Sequence, residues 1–221
     1  MKSLFIGVDI AGGENTWAAG LAPSPQGLRV EFGPKLASPD QLLAVLTHQP
    51  ATAVAIDGQL SLALSDANGF RSSDRELRKL LPSDCRNWVA SANSLMAVPL
   101  RANLLSERIA PVVGTVVETH PRASLYLELG AAYLPAIRQY KHEPALIAPL
   151  LEAWTARFGL HGGVAASSDG ALDAIVCATV AYCYHAAPER LRYLVHDAPD
   201  RRGGGPFVVL DASQRRDAKV E

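Results

Sequence analysis

Three apolar, β-prone runs of this sequence each close on a carboxylate: Leu4 to Val8 on Asp9, Ala51 to Ile56 on Asp57, and Pro111 to Val117 on Glu118. A buried carboxylate is costly unless something compensates its charge, so an acid recurring at the same place on successive strands needs a reason. The ends of strands in an α/β sheet border the crevice where ligands sit. A fourth acid, Asp173, falls in the first turn of the apolar helical stretch Ala171 to His185. Converging carboxylates repel one another and raise each other's pKa unless a cation is present. Hard divalent ions with oxygen ligands, Mg²⁺ or Mn²⁺, suit such a set. Two such ions could activate a water and stabilise a leaving oxygen in phosphodiester hydrolysis.

Taken singly, each acid has a plainer reading. Asp9 and Asp57 could hold turn amides, and Glu118 could pair with Arg122. Asp173 is favoured in a first helical turn by the helix dipole alone, and Asp169 in "SSDG" suits a helix cap. Arg71 and Arg78 flank a helix start; they either contact phosphate or line a solvated face, with Asp74 and Arg78 as an i,i+4 pair. His120, two residues after Glu118, either shuttles a proton or hydrogen-bonds backbone.

The order of elements points to an α/β or α+β layer fold. Thr16 to Leu21 restarts as a strand after the turn signal Gly12-Gly13-Glu14-Asn15, which predicts a hairpin, and Leu28 to Phe32 alternates as a third strand. Helices are predicted over Gln41 to Thr47, from the capping pair Ser73 and Glu76 to Leu81, from Pro121, over Pro144 to Phe158 and over Ala171 to His185. Ser83 to Leu100 reads as a loop, Asp197 to Gly205 as a surface loop, and Phe207 to Leu210 as a last strand. Together these predict one domain over residues 1–212 and a charged tail over 213–221.

A formal net charge of −1 gives no global nucleic-acid footprint, although a local patch is compatible with it. Cys85, Cys177 and Cys183 lack metal-ligand spacing and fit a reducing compartment; Cys177 and Cys183 read as small core residues. The N-terminal apolar run meets Asp9 too early for a signal peptide, and no stretch is long enough for a membrane helix. The expectation is a soluble, cytoplasmic protein.

The motifs "IGVDIAGGENTWAAG", "AIDGQLSLAL" with "FRSSDRELR", "VVETHPRASLYLELG" and "DGALDAIVCATVAYCYHA" resemble, in order, those of domain-of-unknown-function family 429. The resemblance implies a ribonuclease-H-like three-layer fold, with a central mixed β-sheet flanked by helices. It also implies a metal-dependent nuclease or phosphodiesterase acting on DNA or RNA, with Asp9, Asp57, Glu118 and Asp173 holding Mg²⁺ or Mn²⁺ as catalytic ligands. Arg71, Asp74 and Arg78 match the family's Arg/Asp/Arg pattern, which makes Arg71 and Arg78, with His120, candidates for substrate binding. Two other readings stand beside it. "GVDIAGG" is similar to the first phosphate loop of actin-like ATPases and sugar kinases, and the chain could also be a non-catalytic scaffold of the same fold.

Overall fold

The computed structural model describes residues 3–12, 15–62, 66–95, 97–194 and 205–214. Its centre is strand β1 (Phe5–Asp9), antiparallel to β2 (Trp17–Ser24) on one side and parallel to β4 (Ala53–Asp57) on the other. β3 (Gly27–Leu36) extends the hairpin side, and β5 (Val116–Thr119) lies parallel to β4. With the short β6 (Leu160–His161), the sheet order is β5-β4-β1-β2-β3-β6. A second pair, β7 (Leu191–Tyr193) and β8 (Val208–Leu210), adjoins β5 through a bridge between Phe207 and Glu118.

Strand side chains alternate between faces, and each face buries a different set. Ile6, Val8, Val54 and Ile56 pack under α1 (Pro39–His48) and α4 (Val98–Ile109), which contribute Leu42, Leu46, Leu105 and Ile109. Phe5, Ala19, Leu21, Ala55 and Val117 face α5 (Pro121–Leu129), α7 (Ile147–Phe158) and α8 (Asp169–Ala186). The result is a three-layer α/β fold with a mixed central sheet, as expected. The remaining helices are α2 (Ser72–Leu80), the single-turn α3 (Ala92–Leu95) and α6 (Leu134–Gln139).

α8 is the innermost helix, with residues 170–181 buried throughout. It can lie close because β1 presents Gly7 beneath it: a Cβ there would stand 2.1 Å from both Ala174 O and Ala178 N. These are backbone atoms and cannot step aside. Gly7→Ala is therefore expected to cost about 3 kcal/mol, the upper end for overpacking, and to lower the thermal midpoint accordingly. A calorimetric midpoint unchanged within a degree would contradict this packing.

Several sequence expectations shift. Ser83 to Leu100 is not a loop: it holds a 3₁₀ helix (Ser83–Trp88), α3 and the start of α4, whose buried Ala102, Leu105 and Ile109 repeat at helical spacing. β5 begins at Val116 rather than Pro111, because Ala110–Val112 form a 3₁₀ turn. The helix α2 is closed by Asp74, whose Oδ2 accepts from Arg71 N at 2.9 Å, and not by Ser73 with Glu76. The turn at Gly13–Glu14, most of the loop at 197–205 and the tail beyond Gln214 lie outside the described residues. All three cysteines are buried, and none forms a disulfide. No described helix is long and apolar enough to cross a membrane.

Candidate metal centre

Sheet register brings two of the acids together. Asp9 and Asp57 are direct partners across the parallel pair β1–β4. Each lies two residues beyond a residue that faces α8, Gly7 in β1 and Ala55 in β4, so period-2 alternation turns both carboxylates toward that helix. Asp173, fully buried in the first turns of α8, descends onto them. One carboxylate oxygen from each of the three lies within 4.8 Å of the others. Gly170, one turn earlier, keeps the approach open: a Cβ there would stand 2.7 Å from Asp9 Oδ2.

The same alternation excludes Glu118. In the β4–β5 register Asp57 is opposite Thr119, and Glu118 is opposite Ile56, whose side chain packs on the other face. There Glu118 accepts from Leu60 N at 2.8 Å and from both terminal nitrogens of Arg71, at 2.8 and 2.5 Å. Arg71 also reaches Asp74 Oδ1 at 2.7 Å, so the buried guanidinium serves two buried carboxylates. The expected four-acid cluster is thus a cluster of three, and Glu118 belongs to an ion-pair network with Arg71, not with Arg122.

The other predicted binding residues are also placed. Arg71 caps α2 and is 5% exposed, which leaves it tied inside the fold rather than offered to a phosphate. Arg78 donates to Val89 O at 3.0 Å and lies over the Phe70 ring instead of pairing with Asp74. His120 caps α5: its Nδ1 accepts from Ala123 N at 3.2 Å, so Nε2 carries the proton and donates to Trp88 O at 3.1 Å. Both ring nitrogens are engaged with backbone, and burial pushes its pKa down. Asp169 follows the true cap of α8, Ser168, whose Oγ accepts from Ala171 N.

Two residues that the sequence reading did not single out complete the cluster. Tyr140 donates its hydroxyl to Asp173 Oδ1 at 2.7 Å, and Lys141 Nζ reaches Asp173 Oδ2 at 2.7 Å and Asp169 Oδ2 at 3.8 Å. Both follow the end of α6, where Arg122 clamps the carbonyls of Ile137 and Arg138 at 3.0 and 2.6 Å. The Arg122 guanidinium stacks 4.3 Å from the Trp88 ring centre. "RQYKHE" carries no spacing that ties it to Asp173; the helix end and its clamp create the contact.

Asp9 and Asp57 have no hydrogen-bond or ion-pair partner among the described residues. Burial and then repulsion from Asp173 raise Asp9 well above the carboxylate range and push Asp57 up to about 7; Asp57 adds to the shift of Asp9, and Glu118 to that of Asp57. Burial opposes the charge of Lys141, yet the three acids hold its pKa above the usual lysine value. Between about pH 4 and 7 folded Asp57 keeps a proton that the unfolded chain releases, so stability falls as pH rises through that window. Urea midpoints of the metal-free protein are expected to drop from pH 5 to pH 8, by a few kcal/mol of stability, and saturating Mn²⁺ to reverse the drop.

An all-oxygen donor set of this span suits a hard divalent ion, since oxygens around such an ion stand roughly 3 to 5 Å apart. Three carboxylates against one ammonium leave an excess that one divalent cation neutralises. No curated protein matches the chain, and no solved structure does. The family described as "Protein of unknown function (DUF429)" matches residues 7–200, a span that includes all three clustered acids, and the chain belongs to that family.

Proposed function

We propose that the chain is a divalent-metal-dependent phosphodiesterase of ribonuclease-H-like ancestry, working with one Mg²⁺ or Mn²⁺. The observation that carries this reading is the convergence of Asp9, Asp57 and Asp173 within 4.8 Å, two of them raised in pKa and without a hydrogen-bond or ion-pair partner among the described residues. A stable fold has little reason to keep such acids together unless a cation is to join them. When bound, the ion supplies activation of a water and neutralisation of charge on the phosphoester. Asp9 and Asp57 hold it from the sheet. Asp173 holds it from α8, oriented by the Tyr140 hydroxyl. Lys141, about one-third exposed, keeps an ammonium at the rim, where it can meet a phosphate oxygen.

A phosphate-loop reading gains no support from Gly205. A Cβ there would stand 1.7 Å from Val116 O, so this glycine is required for packing of the terminal segment on β5. The scaffold reading would have favoured acids paired with arginines; Glu118 is so paired, but among the described residues Asp9 and Asp57 are not. The test is calorimetric titration with Mn²⁺ at pH 8, with hydrolysis of bis(p-nitrophenyl) phosphate. About one ion per chain and chelator-sensitive cleavage are expected; no uptake of Mn²⁺, Mg²⁺ or Ca²⁺ would remove the proposal.

A further inference from the structure

A cavity of about 360 Å³ opens beside the cluster, and Asp57 and Lys141 form part of its wall. We propose that it seats the base of a single nucleoside unit, whose phosphoester then lies toward Asp9, Asp57 and Asp173. Placement of the phosphoester rests on those acids as metal ligands; binding of the base does not.

Size sets the first limit. Ligand cavities run from about 300 Å³ upward, so this one admits one small planar unit and no paired duplex. A base reaching it must be free, unpaired or terminal. The small formal net charge of −1 agrees, since tracking a duplex calls for a basic face.

The lining sets the second. Trp88 provides an aromatic wall, held in place by Arg122, with apolar Val89, Leu95 and Val98 around it. Such surfaces match the faces of a nucleobase. Its edge needs hydrogen-bonding groups, and two stand ready on residues of the same wall. Gln59 spends its amide nitrogen on Asp74 Oδ2 and Ala90 O, which fixes Oε1 as the acceptor, and that buried oxygen has no partner among the described residues. Thr119, beside Asp57 in the sheet, has a buried hydroxyl that is likewise without a partner among the described residues. A buried oxygen left unpaired is costly, and a base N–H removes the cost after a small side-chain rotation. An ionised phosphate offers no hydrogen to Gln59 Oε1, which can only accept.

The experiment measures binding of the four uncharged ribonucleosides in EDTA by calorimetry, with ribose as the reference. At least one nucleoside is expected to bind ten-fold or more tightly than ribose. Val98→Trp, which fills the cavity, is expected to abolish that preference. Thr119→Val removes only the unpartnered hydroxyl, leaves the melting temperature within a few degrees and weakens the nucleoside about fivefold. Equal weakness of all nucleosides and ribose, or full nucleoside affinity in Val98→Trp with a wild-type melt, overturns the inference. Nucleoside binding without Mn²⁺ uptake supports the cavity and removes the metal reading. Mn²⁺ uptake and cleavage of bis(p-nitrophenyl) phosphate without base preference does the opposite. Two arms distinguish the source of the base: a nucleoside monophosphate and a single-stranded pentanucleotide, the second gaining affinity only where the unit belongs to a strand.

Discussion

Asp57→Asn is expected to make the metal-free protein more stable at pH 8 while removing its response to Mn²⁺. The two effects have one cause. Asp57 stands opposite Asp9 with no partner among the described residues, and its pKa is pushed up to about 7 by burial and by Asp173. A neutral isostere removes the repulsion and the desolvated charge, so the melting temperature at pH 8 should rise by several degrees, at roughly 2–4 °C per kcal/mol for a chain of this size. The same change deletes one of three ligands, and both Mn²⁺ affinity and any chelator-sensitive hydrolysis should fall by about 100-fold or more. At pH 5, where folded Asp57 is protonated anyway, the stability gain should shrink. A variant less stable than wild type at pH 8, with Mn²⁺ uptake intact, would show that Asp57 serves the fold and not an ion.

The largest loss of stability is expected at Arg71. Its guanidinium is the shared partner of Glu118 and Asp74, all three buried, and Arg71→Met strands two carboxylates without it. Removing one member of a buried ion network costs about 3–5 kcal/mol, and the melting temperature should fall by roughly 10 °C or more. Glu118→Gln keeps the shape and hydrogen-bonding capacity of the side chain and should cost less. Mn²⁺ affinity of Glu118→Gln, measured by calorimetry, is expected to stay within about threefold of wild type, because the carboxylate is engaged by Arg71 and Leu60 N and is not one of the three acids that converge. A hundredfold loss would return Glu118 to the ligand set.

Asp57→Asn and Glu118→Gln separate residues that look alike in the sequence. Asp9, Asp57 and Glu118 each end an apolar run, and that pattern correctly marked strand ends that deliver acids. β1, β2, β4 and α8 were legible because their apolar runs are long or cleanly bounded by turn residues. The stretch from Ser83 onward was harder. Cys85 and Val89, in and just after its 3₁₀ turn, are buried with Leu77 of α2, Ala123 of α5 and Val209 of β8, a long-range packing that no local repeat announces.

The sequence by itself determined that acids stand at the ends of buried strands and on one buried helix, and that a layered α/β fold carries them. Only the tertiary structure decided which of them meet. A shift of one residue in register sends a side chain to the opposite face of a sheet. Thr119, not Glu118, therefore lies beside Asp57. Lys141 and Tyr140 reach Asp173 across more than thirty residues of chain because Arg122 fixes the end of α6. Register and long-range contact depend on how whole elements pack, and no local stretch of the chain encodes them.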